Sequence, residues 1–141
     1  MKRKYFILVL VLILTMFLVG CGSSGIVTPA TDEAKVRSVI YEYFLAMDDQ
    51  NWSKAKGYCV YGSDRYYAVC QFEDLVNTLY LYCNLITINF SVDIQNVSIN
   101  GNYSRVYCYE SIIVIACGDY ESNSGYYYLD LQKIGNSWKL Y

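Results

Sequence analysis

The hydrophobic pattern changes its period twice along this chain. Residues 5–20, YFILVLVLILTMFLVG, are apolar and carry no charge, and they follow a basic MKRK. That is the order of a secretory leader. A run of 16 residues also falls short of the about 20 that a spanning helix needs. From Thr31 the spacing becomes helical. In TDEAKVRSVIYEYFLAMDDQ the residues Val36, Val39, Ile40, Tyr43, Phe44 and Met47 recur three or four apart and make one apolar stripe. Thr31 or Asp32 can cap this helix, and Asp32 and Glu33 suit its positive end. NWSKAKGY reads as a short second helix, with Asn51 as cap and Gly57 as stop. CVYGSDRYYAVC is less regular and reads as a loop, with a short strand at residues 65–69. In FEDLVNTLYLYC, Phe72, Leu75, Val76, Leu79 and Cys83 return to helical spacing and predict a third helix.

After Leu85 the period falls to two. Ile86, Ile88, Phe90, Val92 and Ile94 share one face, and Val97 and Ile99 continue on the opposite parity. A switch of parity near Gln95 and Asn96 predicts a β-bulge, which bends a sheet. Asn100-Gly101-Asn102 is a hairpin turn. YSRVYCYESIIVIACGDY is a long returning strand, ESNSG its turn, YYYLDLQKI the next strand, and Gly135-Asn136 the turn into SWKLY. Short hairpin connections make a meander, with the helices packed on one face. The fold class is α+β, a curved antiparallel sheet of about four main strands.

Composition narrows the function. The full chain has 11 Lys and Arg against 13 Asp and Glu. Without Lys2, Arg3 and Lys4 the remainder carries a charge of −5, which does not favour nucleic acid as a partner. Tyrosine occurs 17 times. It suits interfaces, but it also suits strands, and strand filling is the simpler account. No histidine is present, so the usual general base at neutral pH is missing, and no C-x-x-C pair suggests zinc. No cofactor-binding fingerprint appears.

Leu18-Val19-Gly20-Cys21 resembles the lipobox of bacterial lipoproteins: an aliphatic residue, a variable one, a small one and then cysteine. The resemblance implies that residues 1–20 are a signal peptide and that Cys21 becomes a lipid-bearing N-terminus. It also implies that the membrane is a partner through that lipid, on the extracytoplasmic face. Two acyl chains suffice for stable anchoring. Residues 21–31, rich in Gly, Ser and Thr, then form a flexible tether. The alternative is an uncleaved signal anchor, which Gly20, Gly22, Ser23, Ser24 and Gly25 disfavour as helix.

Residues 32–141 make one domain. Its long first helix followed by DDQNWSKAKGY, and its final LQKIGNSWKLY, resemble the nuclear transport factor 2-like superfamily, the cystatin-like roll. The residues that carry the likeness are Asp48, Asp49, Trp52, Gly135, Trp138 and Lys139. The resemblance implies a cone between helices and sheet. It also implies a possible homodimer through the sheet face. Some members are isomerases or dehydratases that use a carboxylate and a tyrosine in that cone. Glu110 and Asp130, with Tyr109 and Tyr128 near them in sequence, are the candidates here, although alternation along a strand can turn any of them to solvent.

Once Cys21 is set aside, Cys59, Cys70, Cys83, Cys108 and Cys117 remain, an odd number. Cys59 and Cys70 flank a loop and form the possible disulfide. Cys83 reads as a small hydrophobe on a helical face. The expectation is a membrane-tethered, non-catalytic domain that binds an envelope protein or small ligand. The alternatives are a small-molecule isomerase or dehydratase, and a spacer or dimerisation module.

Overall fold

The computed structural model describes residues 31–141. The leader, the lipobox-like motif with Cys21, and the tether up to Ala30 lie outside the described residues.

The first helix, α1 (Asp32–Asp48), starts where its cap predicts. The Ala34 N–H donates to Thr31 Oγ1 at 3.2 Å, which satisfies one of the helix's free donors. The stripe Val36, Ile40, Tyr43, Phe44 and Met47 is buried, and Val39 packs at its margin. Gln50, at φ 54°, turns the chain into α2 (Trp52–Gly57). Asn51 caps α2 by accepting from the Lys54 N–H at 3.1 Å.

The next helix, α3 (Asp64–Tyr80), corrects two expectations. Residues 65–69 are helical rather than a short strand, and the third helix starts eight residues before Phe72 and stops three short of Cys83. Tyr66, Tyr67 and Val69 have β propensity, but Ser63 caps the segment by accepting from the Tyr66 N–H at 3.2 Å. Val69 and Val76, two turns apart, are both buried, so packing and capping override propensity. Among the described residues no helix is long and apolar enough to cross a membrane.

Four strands follow: β1 (Ile86–Asn100), β2 (Tyr103–Ala116), β3 (Asp119–Ile134) and β4 (Ser137–Leu140). They form one antiparallel sheet in the order β1-β2-β3-β4. The register between β1 and β2 shifts at Ile94/Asn96, so Gln95 is the extra residue of the predicted bulge. The β2–β3 turn lies elsewhere than predicted. The chain reverses at Cys117 and Gly118, with φ of 55° and 92°, as a two-residue hairpin requires. The ESNSG stretch instead sits inside β3, opposite Glu110 to Val114.

Alternation sends one set of side chains toward the helices. Ile94, Val106, Cys108, Leu129, Leu131, Trp138 and Leu140 meet the α1 stripe in the main core. A second cluster, Val76, Cys83, Ile86 and Ile88, closes the other end. The start of α1 is pinned to the sheet through Asp32. Its carboxylate accepts from Lys133 Nζ at 2.8 Å and from Trp138 Nε1 at 3.3 Å.

The cysteine pairing is also corrected. Cys83 bonds to Cys117, with Cα atoms 5.0 Å apart, while Cys59 and Cys70 are free. Cys59 is buried in an isolated bridge beside Leu140, and Cys70 lies within α3, so the two do not flank a loop. Cys83 lies just past the end of α3, where it can reach the hairpin turn.

Candidate functional site

The sheet splits the predicted constellation between its two sides. Glu110 points into the cone. Tyr109, one residue away, points outward, and its hydroxyl lies 2.9 Å from Ser124 Oγ. Asp130 and Tyr128 also face outward. Asp130 accepts both Arg105 Nε at 2.7 Å and Arg105 Nη2 at 2.9 Å, a bidentate surface pair. None of these three outward residues shares a cavity with Glu110, because strand neighbours take opposite faces.

Inside the cone, Glu110 has partners that the sequence did not flag. Arg65 on α3 brings Nη2 to 3.6 Å from Glu110 Oε2. The Arg65 guanidinium also lies over the rings of Tyr43 at 5.0 Å and Phe44 at 5.8 Å, a cation–π arrangement. Its Nε is buried without a hydrogen-bond partner. Cys108 Sγ sits 3.6 Å from Glu110 Oε1. Burial pushes the Tyr43 hydroxyl up to about 12. Burial, with the Glu110 charge adding to it, pushes the Cys108 thiol up to about 12 as well. Both groups therefore stay protonated at neutral pH. Reading Arg65 as part of a strand hid this cluster, since its place on a helix is what aims it into the cone.

The space beside Glu110 is small. A cavity of about 100 Å³ is lined by Phe44, Phe90, Glu110, Ser111, Ile112, Asn123 and Tyr127. Small-molecule sites usually offer about 300 Å³ or more. Tyr127 narrows it further, because its ring folds back over Gly125, where a Cβ would come within 3.3 Å of the ring.

The outer face carries a tyrosine ladder. Tyr107 is opposite Tyr128, and Tyr109 is opposite Tyr126, on adjacent strands. Ring centroids are 5.4 Å apart for Tyr107–Tyr126, 5.1 Å for Tyr107–Tyr128 and 5.1 Å for Tyr109–Tyr126. The rings brace one another and yet remain open to solvent, with Tyr126 60% and Tyr128 65% exposed. Asn96, Ser98, Ser111, Ser122 and Ser124 surround them by register. Among the described residues no group of three His, Cys, Asp or Glu side chains could hold a metal ion.

No family model matches the sequence, and no curated protein matches it. Solved structures do match. An NTF2-like protein with a cystatin-like fold from Novosphingobium aromaticivorans superposes with a TM-score of 0.58 at 14% identity, over 77% of each chain. The β subunit of the benzoate 1,2-dioxygenase from Burkholderia mallei gives 0.59 at 14% identity, over 80% of this chain and 88% of that one. An NTF2-like protein of unknown function from Shewanella oneidensis gives 0.57 at 8% identity, over 78% and 94%. The chain thus has the nuclear transport factor 2-like, cystatin-like fold. Identities this low speak for fold alone, and this fold serves many functions.

Proposed function

We propose that this chain is a lipid-anchored, non-catalytic binding domain on the extracytoplasmic face of a bacterial membrane, and that it docks an envelope protein on the outer face of its sheet. The observation that carries the reading is the tyrosine ladder of Tyr107, Tyr109, Tyr126 and Tyr128, in which Tyr107 is half-buried and the other three are exposed. Tyrosine offers broad contact area at low entropic cost, and Ser and Asn add adaptable hydrogen bonds; this is the composition of protein-binding paratopes. The one charge pair within the ladder, Arg105 with Asp130, is internally balanced. A protein surface of mixed chemistry suits such a face better than nucleic acid does.

Catalysis is disfavoured by the state of the cone. Glu110 already faces Arg65, the cavity is small, and Tyr109 lies on the other side of the sheet. Anchoring rests on the Leu18-Val19-Gly20-Cys21 motif. The Cys83–Cys117 disulfide is consistent with it, since such bonds persist in oxidising compartments. The fold also occurs in a protein named as a dioxygenase β subunit, a role within an assembly.

The test is cross-linking and capture from envelope membranes, comparing wild type with Tyr107→Ser combined with Tyr109→Ser. A partner band that depends on these two residues, in a variant with unchanged circular dichroism, supports the reading. An identical set of captured proteins from both refutes it. For the anchor, mass spectrometry should find the mature chain starting at a diacylglycerol-modified Cys21; an intact Met1 with an unmodified Cys21 thiol refutes that part.

A further inference from the structure

We infer that the free edge of β3 pairs with the same edge of a second copy of this chain, giving a two-fold dimer with one continuous sheet. This goes beyond the reading above, because it concerns the backbone groups along the rim of the sheet, a rim that Tyr126 and Tyr128 of the tyrosine face share.

The pairing of β4 covers only residues 131–134 of β3. Residues 119–129 have β2 on one side and no strand on the other among the described residues. The direction of their backbone groups follows from one bond. The Tyr141 N–H donates to the Asp130 carbonyl at 3.1 Å, so Asp130 turns its backbone away from β2. Antiparallel alternation gives the same direction to Tyr120, Ser122, Ser124, Tyr126 and Tyr128. These form a row of donors and acceptors that can template another strand.

The other edges of the sheet are guarded. On β1 the Phe90 N–H is taken by Asp48 Oδ1 at 2.8 Å, and the bulge at Gln95 bends the strand. On β4 the Val60 N–H donates to the Leu140 carbonyl, and the Leu140 N–H donates to the Tyr58 carbonyl. The free stretch of β3 has neither lysine nor proline, and its register with β2 is unbroken. Natural sheets protect a long exposed edge with such devices. An edge this long without them fits a state in which another strand covers it.

The distribution of charge selects the occupant. Both acids of the stretch, Asp119 and Glu121, lie at one end, and the end from Tyr126 to Leu129 has none. The stretch is centred on Ser124. A two-fold axis there pairs it along its full length, with Ser124 opposite Ser124, Tyr126 opposite Ser122 and Tyr128 opposite Tyr120. Glu121 then meets Tyr127 and Asp119 meets Leu129, so no acid faces an acid. Tyr120 and Tyr128, 63% and 65% exposed in the single chain, become a cross-strand aromatic pair. The edge is thus complementary to itself in the antiparallel sense, which a two-fold contact requires.

The experiment uses the full chain in its membrane. Ser124→Cys should give, under mild oxidation, a disulfide-linked species of twice the chain mass, well above the wild-type background. Ser98→Cys, exposed on the outer face of β1, should not; cross-linking there would indicate face-to-face packing instead. Ser124→Pro removes an N–H that points away from β2, a loss an edge strand tolerates. In detergent it should convert the dimer to a monomer by light scattering. The inference is overturned if the Ser124→Cys adduct is no stronger than that of wild type or Ser98→Cys, or if folded Ser124→Pro stays dimeric. If Ser124→Pro unfolds by circular dichroism, the two cysteine variants decide. Tyr107 and Tyr109 lie on β2, one strand in from this edge, and touch it only through side chains such as the Tyr109 hydroxyl at Ser124 Oγ. Tyr107→Ser with Tyr109→Ser should therefore leave the dimer intact by light scattering while partner capture is lost, so that the two failures remain distinguishable.

Discussion

Removing the Cys83–Cys117 bond gives a direct measure of how the two ends of this fold are held. The bond links the segment after α3 to the β2–β3 turn, across 34 residues of sequence. In the chain-entropy treatment, closing a loop of that length costs the unfolded chain about 12.6 cal/mol/K, or about 3.8 kcal/mol at 25 °C. For a domain of about a hundred residues each kcal/mol moves the melting temperature by about 4–8 °C, so the double variant Cys83→Ala, Cys117→Ala should melt roughly 15 °C or more below wild type. Cys83 is buried, so its truncation adds a small packing loss in the same direction. The assay is urea unfolding of the full chain in mild detergent, followed by circular dichroism and tryptophan fluorescence. Dithiothreitol should shift wild type toward the double variant and leave the double variant unchanged. Loss of less than about 1 kcal/mol, at an unchanged dependence on urea, would refute the view that this bond constrains the unfolded chain.

Acid should act on the tie at the start of α1. The hydrogen bonds from Lys133 and then Trp138 hold the Asp32 carboxyl below its ordinary 3.8. Its contribution is therefore fully present above pH 3.8 and lost as pH falls through the lower folded-state value. The stability gap between wild type and Asp32→Asn should close in that window, and a gap independent of pH would contradict the assignment. Burial pushes the Cys59 thiol up to about 11 and the Cys108 thiol up to about 12. Both should resist a thiol-specific chromogenic reagent at pH 8 in the folded protein and react once urea unfolds it; prompt reaction of either in the native state would be inconsistent with this burial.

Much of the domain was legible in its local pattern. The α1 stripe, the Thr31 and Asn51 caps, the bulge near Gln95 and the turns at Gly101 and Gly135 all depend on residues close in sequence. The misread elements share a cause. Residues 65–69 have strand-forming side chains, yet Val69 packs in the core as part of a helix. The ESNSG stretch has turn composition, yet β2 supplies a full pairing partner for it. In both places a distant contact outweighed local preference.

By itself, the sequence determined three helices followed by a four-strand meander, with residues 65–69 misassigned to a strand between them, and with that the α+β class and the resemblance that named the fold, because helical and strand periods are local properties. Only the tertiary structure decided that Glu110 meets Arg65 while Asp130 meets Arg105, that Cys83 bonds to Cys117 and not Cys59 to Cys70, and that one edge of β3 stands open. Those outcomes depend on which face of a strand a side chain takes and on which distant segments meet. Neither is encoded in the spacing of a single stretch of chain.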